Sequence, residues 1–218
     1  MQRIDARLMA CAAYLQPGKR VADVGCDHGK LTAYLAQNGF SVIATDINEK
    51  PLECARKTCQ SANCSELVSL RLGDGLSPLA PMEAQQVVIA GVSPDTMFHI
   101  IDSAPWLQTQ EMRLVLCPAT RLPQLRKGLC LRGFEIMDET PVVAAGRCYS
   151  VLCAEYTANA FEPDEKFCLI GKMAGKPFAQ ELRDDTARKM QKQLRGLQGT
   201  EQEQQGWQLL EWLKNAQV

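Results

Sequence analysis

The stretch from Arg20 to Leu31, RVADVGCDHGKL, narrows what the chain can fold into more than any other. A short apolar run (Val21, Ala22, Val24) stops at Gly25, and beyond Gly29 the residues Leu31, Tyr34 and Leu35 recur at helical spacing. The pattern predicts a strand, a tight turn and a helix. Gly25 and Gly29 let the backbone approach a ligand, and Asp23 and Asp27 put two carboxylates at the carboxyl end of the strand, where open α/β sheets bind ligands.

An acidic turn discriminates between ligands. Phosphate binding needs uncovered backbone N–H groups and suffers from nearby negative charge. A P-loop has four residues between its glycines and Ser or Thr after the Lys, whereas Gly25 and Gly29 enclose three and Lys30 precedes Leu31. A dinucleotide fingerprint wants glycine where Asp27 stands. The ligand that remains combines a nucleoside, an amine and a positive charge, which describes S-adenosylmethionine.

The following residues extend the pattern. Phe40 to Ile47 reads as a second strand, and Asp46 at its end lies 21 positions beyond Gly25. That spacing suits a carboxylate accepting ribose hydroxyls, with a surface loop aspartate as the plainer alternative. A helix over Glu49 to Ala62 and a strand over Leu67 to Leu72 lead to Gly73-Asp74-Gly75. Asp74 is either an acceptor for an adenine amine or an ordinary turn residue. Strands over Gln86 to Ala90 and Arg113 to Cys117 alternate with helices over Thr96 to Trp106 and Leu122 to Leu131, which predicts a parallel sheet covered on both faces.

The sheet's last strands break this alternation. Phe134 to Asp138 and Cys148 to Tyr156 are strand-like, and the roughly nine residues between them lack a helical pattern, so they pair antiparallel. A Rossmann-like α/β sheet that closes on an antiparallel hairpin is the outline of class I methyltransferases. From Phe161 the composition turns to Gln, Lys, Glu and Arg. A stripe at Phe178, Leu182, Thr186, Met190, Leu194 and Leu197 predicts one helix. Gly196 and Gly199 end it, and Thr200 caps a second helix carrying Trp207, Leu210 and Leu213, giving an antiparallel helical hairpin. The expected division is residues 1–157 for the sheet domain and 158–218 for a small C-terminal helical domain.

Between Gly171 and Gln198 there are seven Lys or Arg against three Asp or Glu. Arg188, Lys192 and Arg195 fall on one helix face, which is either merely solvated or a surface for an RNA backbone. The formal net charge of -1 argues against nonspecific coating of nucleic acid and leaves room for such a local patch. No apolar run approaches the roughly 20 residues of a membrane span. The N-terminal segment has helix-face spacing at Ile4, Leu8, Ala12 and Leu15 without the pattern of a secretion signal, so the ten cysteines are expected as reduced thiols of a cytoplasmic protein. Cys54, Cys59 and Cys64 are evenly spaced, but on one helix they would point about 140° apart, and no metal is expected there.

These residues resemble the bacterial TrmK-type tRNA methyltransferases across nearly the whole chain. The resemblance is carried by ARL (Ala6 to Leu8), ADVGCDHGKL (Ala22 to Leu31), ATDINEKPLECA (Ala44 to Ala55), RLGDGL (Arg71 to Leu76), IAG (Ile89 to Gly91), RLVLCP (Arg113 to Pro118), LRKGLCLRGFEI (Leu125 to Ile136) and LIGKM (Leu169 to Met173). It implies transfer of a methyl group from S-adenosylmethionine to N1 of adenine 22 of tRNA, and a helical coiled-coil domain after the Rossmann-like one. It also implies that Asp23, Gly25, Cys26, Asp27, His28, Asp46, Ile47, Asp74, Gly75 and Ala90 surround the cofactor. The family reads AGMGG after the fourth strand, where this chain has AGVSPDTM, which lacks the last two glycines and brings in Pro94 and Asp95.

Methylation of adenine N1 leaves positive charge on the ring, so a carboxylate beside it is the group to look for. Asp27 is the first candidate, Asp95 the second, and His28 either orients a carboxylate or makes a structural bond. The competing readings are a cofactor-binding RNA or protein adaptor without turnover, suggested by Pro94-Asp95, and a methyltransferase with another RNA or a small molecule as acceptor.

Overall fold

The computed structural model describes residues 4–109, 111–196 and 201–218, the side chains of 201 and 202 excepted. In chain order the elements are α1 (Ala6–Ala13), β1 (Val21–Val24), α2 (Lys30–Gln37), β2 (Val42–Asp46), α3 (Glu49–Ser61), β3 (Val68–Leu72), β4 (Gln86–Ala90), α4 (Pro94–Asp102), β5 (Arg113–Cys117), α5 (Leu122–Leu131), β6 (Phe134–Ala144), β7 (Arg147–Tyr156), α6 (Glu165–Ile170), α7 (Ala179–Leu194) and α8 (Glu201–Asn215).

Seven strands form one sheet in the order β3-β2-β1-β4-β5-β7-β6. The first five are parallel, and β7 runs antiparallel to both β5 and β6. The strand alternation of β1 divides the core. Ala22 and Val24 pack with Met97 and Ile101 of α4 and Leu125 and Leu129 of α5 on one face. Val21 packs with Cys11 of α1, Leu31 and Leu35 of α2 and Leu52 of α3 on the other. Both faces are therefore covered by helices, and the central strands are buried along their length, as a doubly covered parallel sheet requires.

The hairpin departs from the nine-residue separation read from the sequence. Strands β6 and β7 run on until only Ala145 and Gly146 separate them, at φ 48° and 71°. Two positive φ values are those of a type I′ turn, whose twist matches that of the strands it joins. The polar stretch Glu139 to Thr140 hid the extension because β6 uses it: Thr140 Oγ1 lies 2.6 Å from the hydroxyl of Tyr14, just past the end of α1.

The tail is tied to the sheet through α6, an element the sequence pattern did not predict. Asp164 caps it, accepting from the Phe167 amide at 2.6 Å, and Cys168 and Leu169 are buried. Helices α7 and α8 are antiparallel, since Arg183 near the start of α7 donates to the Ala216 carbonyl just past the end of α8 at 2.9 Å. Leu194, Leu210 and Leu213 close the seam against Leu169. The expected breaker Gly199, the cap Thr200 and the stripe residue Leu197 lie outside the described residues.

The cysteines also depart from the single-helix expectation. Cys64 is beyond the end of α3, not on it, and the chain folds back so that its thiol donates to the Cys59 carbonyl at 3.5 Å. Burial pushes the Cys59 thiol up to about 12. Among the described residues no group of His, Cys, Asp and Glu is placed to hold a metal ion, and no helix is long and apolar enough to cross a membrane.

Candidate active site

The turns after β1, β2 and β4 and the segment after β3 open onto one cleft of about 580 Å³ at the carboxyl edge of the sheet. That is within the usual size range for a small-ligand site. It is lined by Asp23, Gly25, Cys26, Asp27, His28, Asp46, Ile47, Asp74, Gly75 and Ala90, the ten residues expected around a cofactor. Sequence reasoning missed Asp5 and Arg7, which reach the cleft from the start of α1. Their only signal was the ARL motif, because it is the packing of α1 across the sheet that brings them in.

The first turn is held by the end of β2. The Gly25 and Cys26 amides both donate to the Thr45 carbonyl at 2.9 Å, the Asp27 amide to Asp46 Oδ2 at 3.2 Å, and the Gly29 amide to the Cys26 carbonyl at 2.8 Å. Four of the five amides from Gly25 to Gly29 are thus engaged within the chain. A phosphate cradle needs such groups free. Gly25, at φ 72°, and Gly91, at φ 85°, each have no atom within 4 Å of where a Cβ would stand, so the backbone is bare where it faces the cleft. Gly29 serves packing instead, since a Cβ there would lie 2.7 Å from Cα and Cβ of Ala55 in α3.

The cleft's carboxylates differ in their surroundings. Asp23 is 5% exposed and accepts from the Thr32 hydroxyl of α2 at 2.6 Å. Burial raises its carboxyl to about 6, against the pull of Thr32. Asp46 takes the Asp27 amide on one oxygen and the Asn48 amide on the other at 2.9 Å, which fixes its plane and leaves lone pairs for further donors. Asp27 stands in the left-handed region at φ 50°, which an aspartate tolerates better than most residues, with its side chain 72% exposed and 3.7 Å from His28 Nε2. Asp74 lies 3.4 Å from His99 Nε2.

At the far wall Arg7 bonds Asp5 at 2.7 Å and stacks 4.8 Å from the Tyr149 ring centre. Burial pushes the Asp5 carboxyl up, but the Arg7 side chain and the Leu8 and Arg7 amides outweigh it and hold the group below its usual range. Five carboxylates against Arg7 and Lys30 make the cleft a place for cationic and hydroxyl-rich ligands. Cys26 is a buried thiol pushed up by burial and by Asp23, so it lines the cleft as an apolar group.

Two expected residue sets lie elsewhere. Asp95 is outside the cleft lining, is exposed, and pairs with Arg121 at the start of α5. Pro94 is the first residue of α4, after a Ser93 cap whose Oγ accepts the Thr96 amide at 3.3 Å. A proline is well accommodated there, because that N–H has no helical partner to lose. Arg188 and Lys192 project from α7 and Arg195 follows it, all exposed and away from the cleft lining.

A sheet of this order with an acidic cleft after β1, β2 and β4 defines a Rossmann-like methyltransferase fold. The chain belongs to the family described as a methyltransferase domain, whose model matches residues 4–152. It is similar to the tRNA (adenine(22)-N(1))-methyltransferase of Bacillus subtilis (strain 168), 30% identical over 155 residues. That alignment takes in 70% of this chain and 65% of the relative, just under two thirds of its length. Among solved structures, B. subtilis TrmK superposes with a TM-score of 0.83 at 24% identity, covering 98% of this chain and 100% of that one. Streptococcus pneumoniae Sp1610 in complex with S-adenosyl-L-methionine superposes with a TM-score of 0.79 at 26% identity, covering 98% and 99%. The resemblance drawn from the motifs is borne out by these relatives, and so is the expected architecture.

Proposed function

We propose that the chain binds S-adenosylmethionine in the acidic cleft and transfers its methyl group to N1 of an adenine in tRNA. The observation that carries the cofactor assignment is the consumption of the Gly25 to Gly29 amides inside the chain beside an excess of carboxylates, a donor set that suits a cationic nucleoside and disfavours a pyrophosphate. The acceptor assignment is supported by similarity to the B. subtilis enzyme, and adenine 22, which that enzyme's name specifies, is the first to test. The reading places the protein with the tRNA pool of the cytoplasm.

The geometry supports the following residue roles. Asp46, fixed by two backbone amides, accepts the ribose hydroxyls, and Asp74 accepts the adenine amine. Gly25 and Gly91 keep the backbone open, and Asp23 sets the potential beneath the amino-acid part. When bound, S-adenosylmethionine supplies an electrophilic methyl group on a cationic sulfur. Adenine N1 attacks with its own lone pair, so no base is needed to create the nucleophile. Asp27 stabilises the cation that forms on the ring, with His28 orienting it. The cofactor unit is residues 1–157, and the exposed basic face of α7 within 158–218 holds the tRNA backbone.

The test pairs calorimetry with S-adenosylhomocysteine and methyl transfer to tRNA transcribed without modifications. Saturable binding and N1-methyladenine at one position are expected. Binding without transfer to any tRNA would leave the adaptor reading in its place, and no binding would remove both.

A further inference from the structure

A second groove of about 370 Å³ lies between α7 and the end of the sheet where β5 gives way to α5. Its walls are the Tyr149 side of β7 and the face of α7 that carries Leu182 and Met190. Ser150 also lines it, is 1% exposed, and has an Oγ with no hydrogen-bond partner in the structure. Buried polar atoms are nearly always partnered, so this hydroxyl calls for an explanation.

The groove adjoins the cofactor cleft. The Ala119 amide in its wall donates to the carbonyl of Val92, a cleft residue, at 3.0 Å. Tyr149 carries the Arg7 guanidinium of the cleft on its ring. The backbone bond at Ala119 separates the two spaces, so an occupant of the groove lies next to the cleft and outside it. At the rim are Arg121, which also pairs with Asp95, and Lys189, 67% exposed and paired at 2.6 Å with Asp185 of the same rim, so a phosphate there would compete with two carboxylates for these cations.

An apolar slot with an aromatic wall, a spare hydroxyl inside and cations at the mouth matches a nucleobase followed by its phosphate. We propose that this groove holds one unpaired nucleotide of the RNA strand next to the target adenine, and so fixes which adenine enters the cleft. The inference rests on the tRNA reading, because only a polynucleotide supplies such a neighbour.

The experiment measures KM for unmodified tRNA in Met190→Trp, which fills the slot, and in Lys189→Glu, an exposed change that leaves the core alone. S-adenosylhomocysteine affinity, expected to stay within about twofold of the parent, reports an intact cleft. KM is expected to rise about tenfold for Met190→Trp and roughly three- to tenfold for Lys189→Glu at low salt. Unchanged KM in both variants would overturn the proposal. Nuclear magnetic resonance with adenosine 5′-monophosphate separates it from the reading beneath it. Millimolar nucleotide should shift the Ser150 amide and the Met190 methyl even if no tRNA is methylated, and no shift there, with Ser150 bonded only to water, would also overturn it.

Discussion

Arg126 of α5 and Glu139 of β6 form an ion pair in which both side chains are 0% exposed. Arg126 also donates to the Cys168 and Leu169 carbonyls at 2.7 Å each, and Glu139 accepts the Lys172 amide at 3.2 Å. One guanidinium therefore joins the sheet domain to α6, from which α7 and α8 continue.

Removing one partner leaves the other charge buried and alone. Arg126→Met is expected to lower stability by about 3–5 kcal/mol in urea unfolding. The double variant Arg126→Met/Glu139→Leu should recover only part of this, because the Cys168 and Leu169 carbonyls stay unpartnered. Full recovery would mean that the carbonyl contacts contribute nothing.

Asp46→Ala removes a carboxylate that both steadies the first turn and lines the cleft. Binding of S-adenosylhomocysteine by calorimetry should weaken roughly ten- to hundredfold, from a loss of about 1.5–3 kcal/mol for charged hydrogen bonds. Unchanged affinity would remove Asp46 from the ligand's contacts.

Asp27→Asn tests the charge without straining the turn, since asparagine also tolerates a positive φ. The rate of methyl transfer should fall by roughly a hundredfold or more while S-adenosylhomocysteine affinity changes little. An equal loss in both would make Asp27 a cofactor ligand only.

Burial raises the Asp23 carboxyl from 3.8 to about 6, so the folded chain keeps this proton at pH values where the unfolded chain has lost it. The stability it contributes is complete below about pH 4 and is lost as pH rises through about 6, by about 3 kcal/mol. Urea unfolding between pH 4.5 and 7 should show about two-thirds of that fall in the parent and a flatter profile in Asp23→Asn. Parallel profiles would assign the pH dependence to other groups.

Reversing Arg188, Lys192 and Arg195 to Glu should raise KM for tRNA and lower the slope of log affinity against log salt by up to about 3. S-adenosylhomocysteine affinity is expected to be unaffected. A salt slope equal to that of the parent would show that the face is only solvated.

The sequence carried the sheet's parallel half and its ligand turns, because short apolar runs ending in Gly or Asp report strand ends locally. The start of α7 and the helical run of α8 were legible from their apolar spacing. What escaped depends on distant partners. Asp5 and Arg7 become cleft residues only when α1 packs across the sheet, and Arg126 is an unremarkable helix residue until Glu139 lies beside it. The length of the hairpin was hidden because Glu139 and Thr140 are polar, yet both are consumed by partners, Arg126 of the preceding helix and the distant Tyr14. Pro94 replaces a glycine in the motif, yet it stands at the head of α4, where a missing N–H costs no helical bond.

The close approach of Gly29 to Ala55 gears the first turn of the cleft to a helix that does not line it. Thr58 of the same helix reinforces the coupling by donating to the His28 carbonyl at 2.8 Å. A bulkier side chain at position 55 would push on the turn from behind, shifting Asp27 and His28 together. Damage resembling an active-site lesion can thus arise from a methyl group in the interior, and screens for inactive variants should find it there.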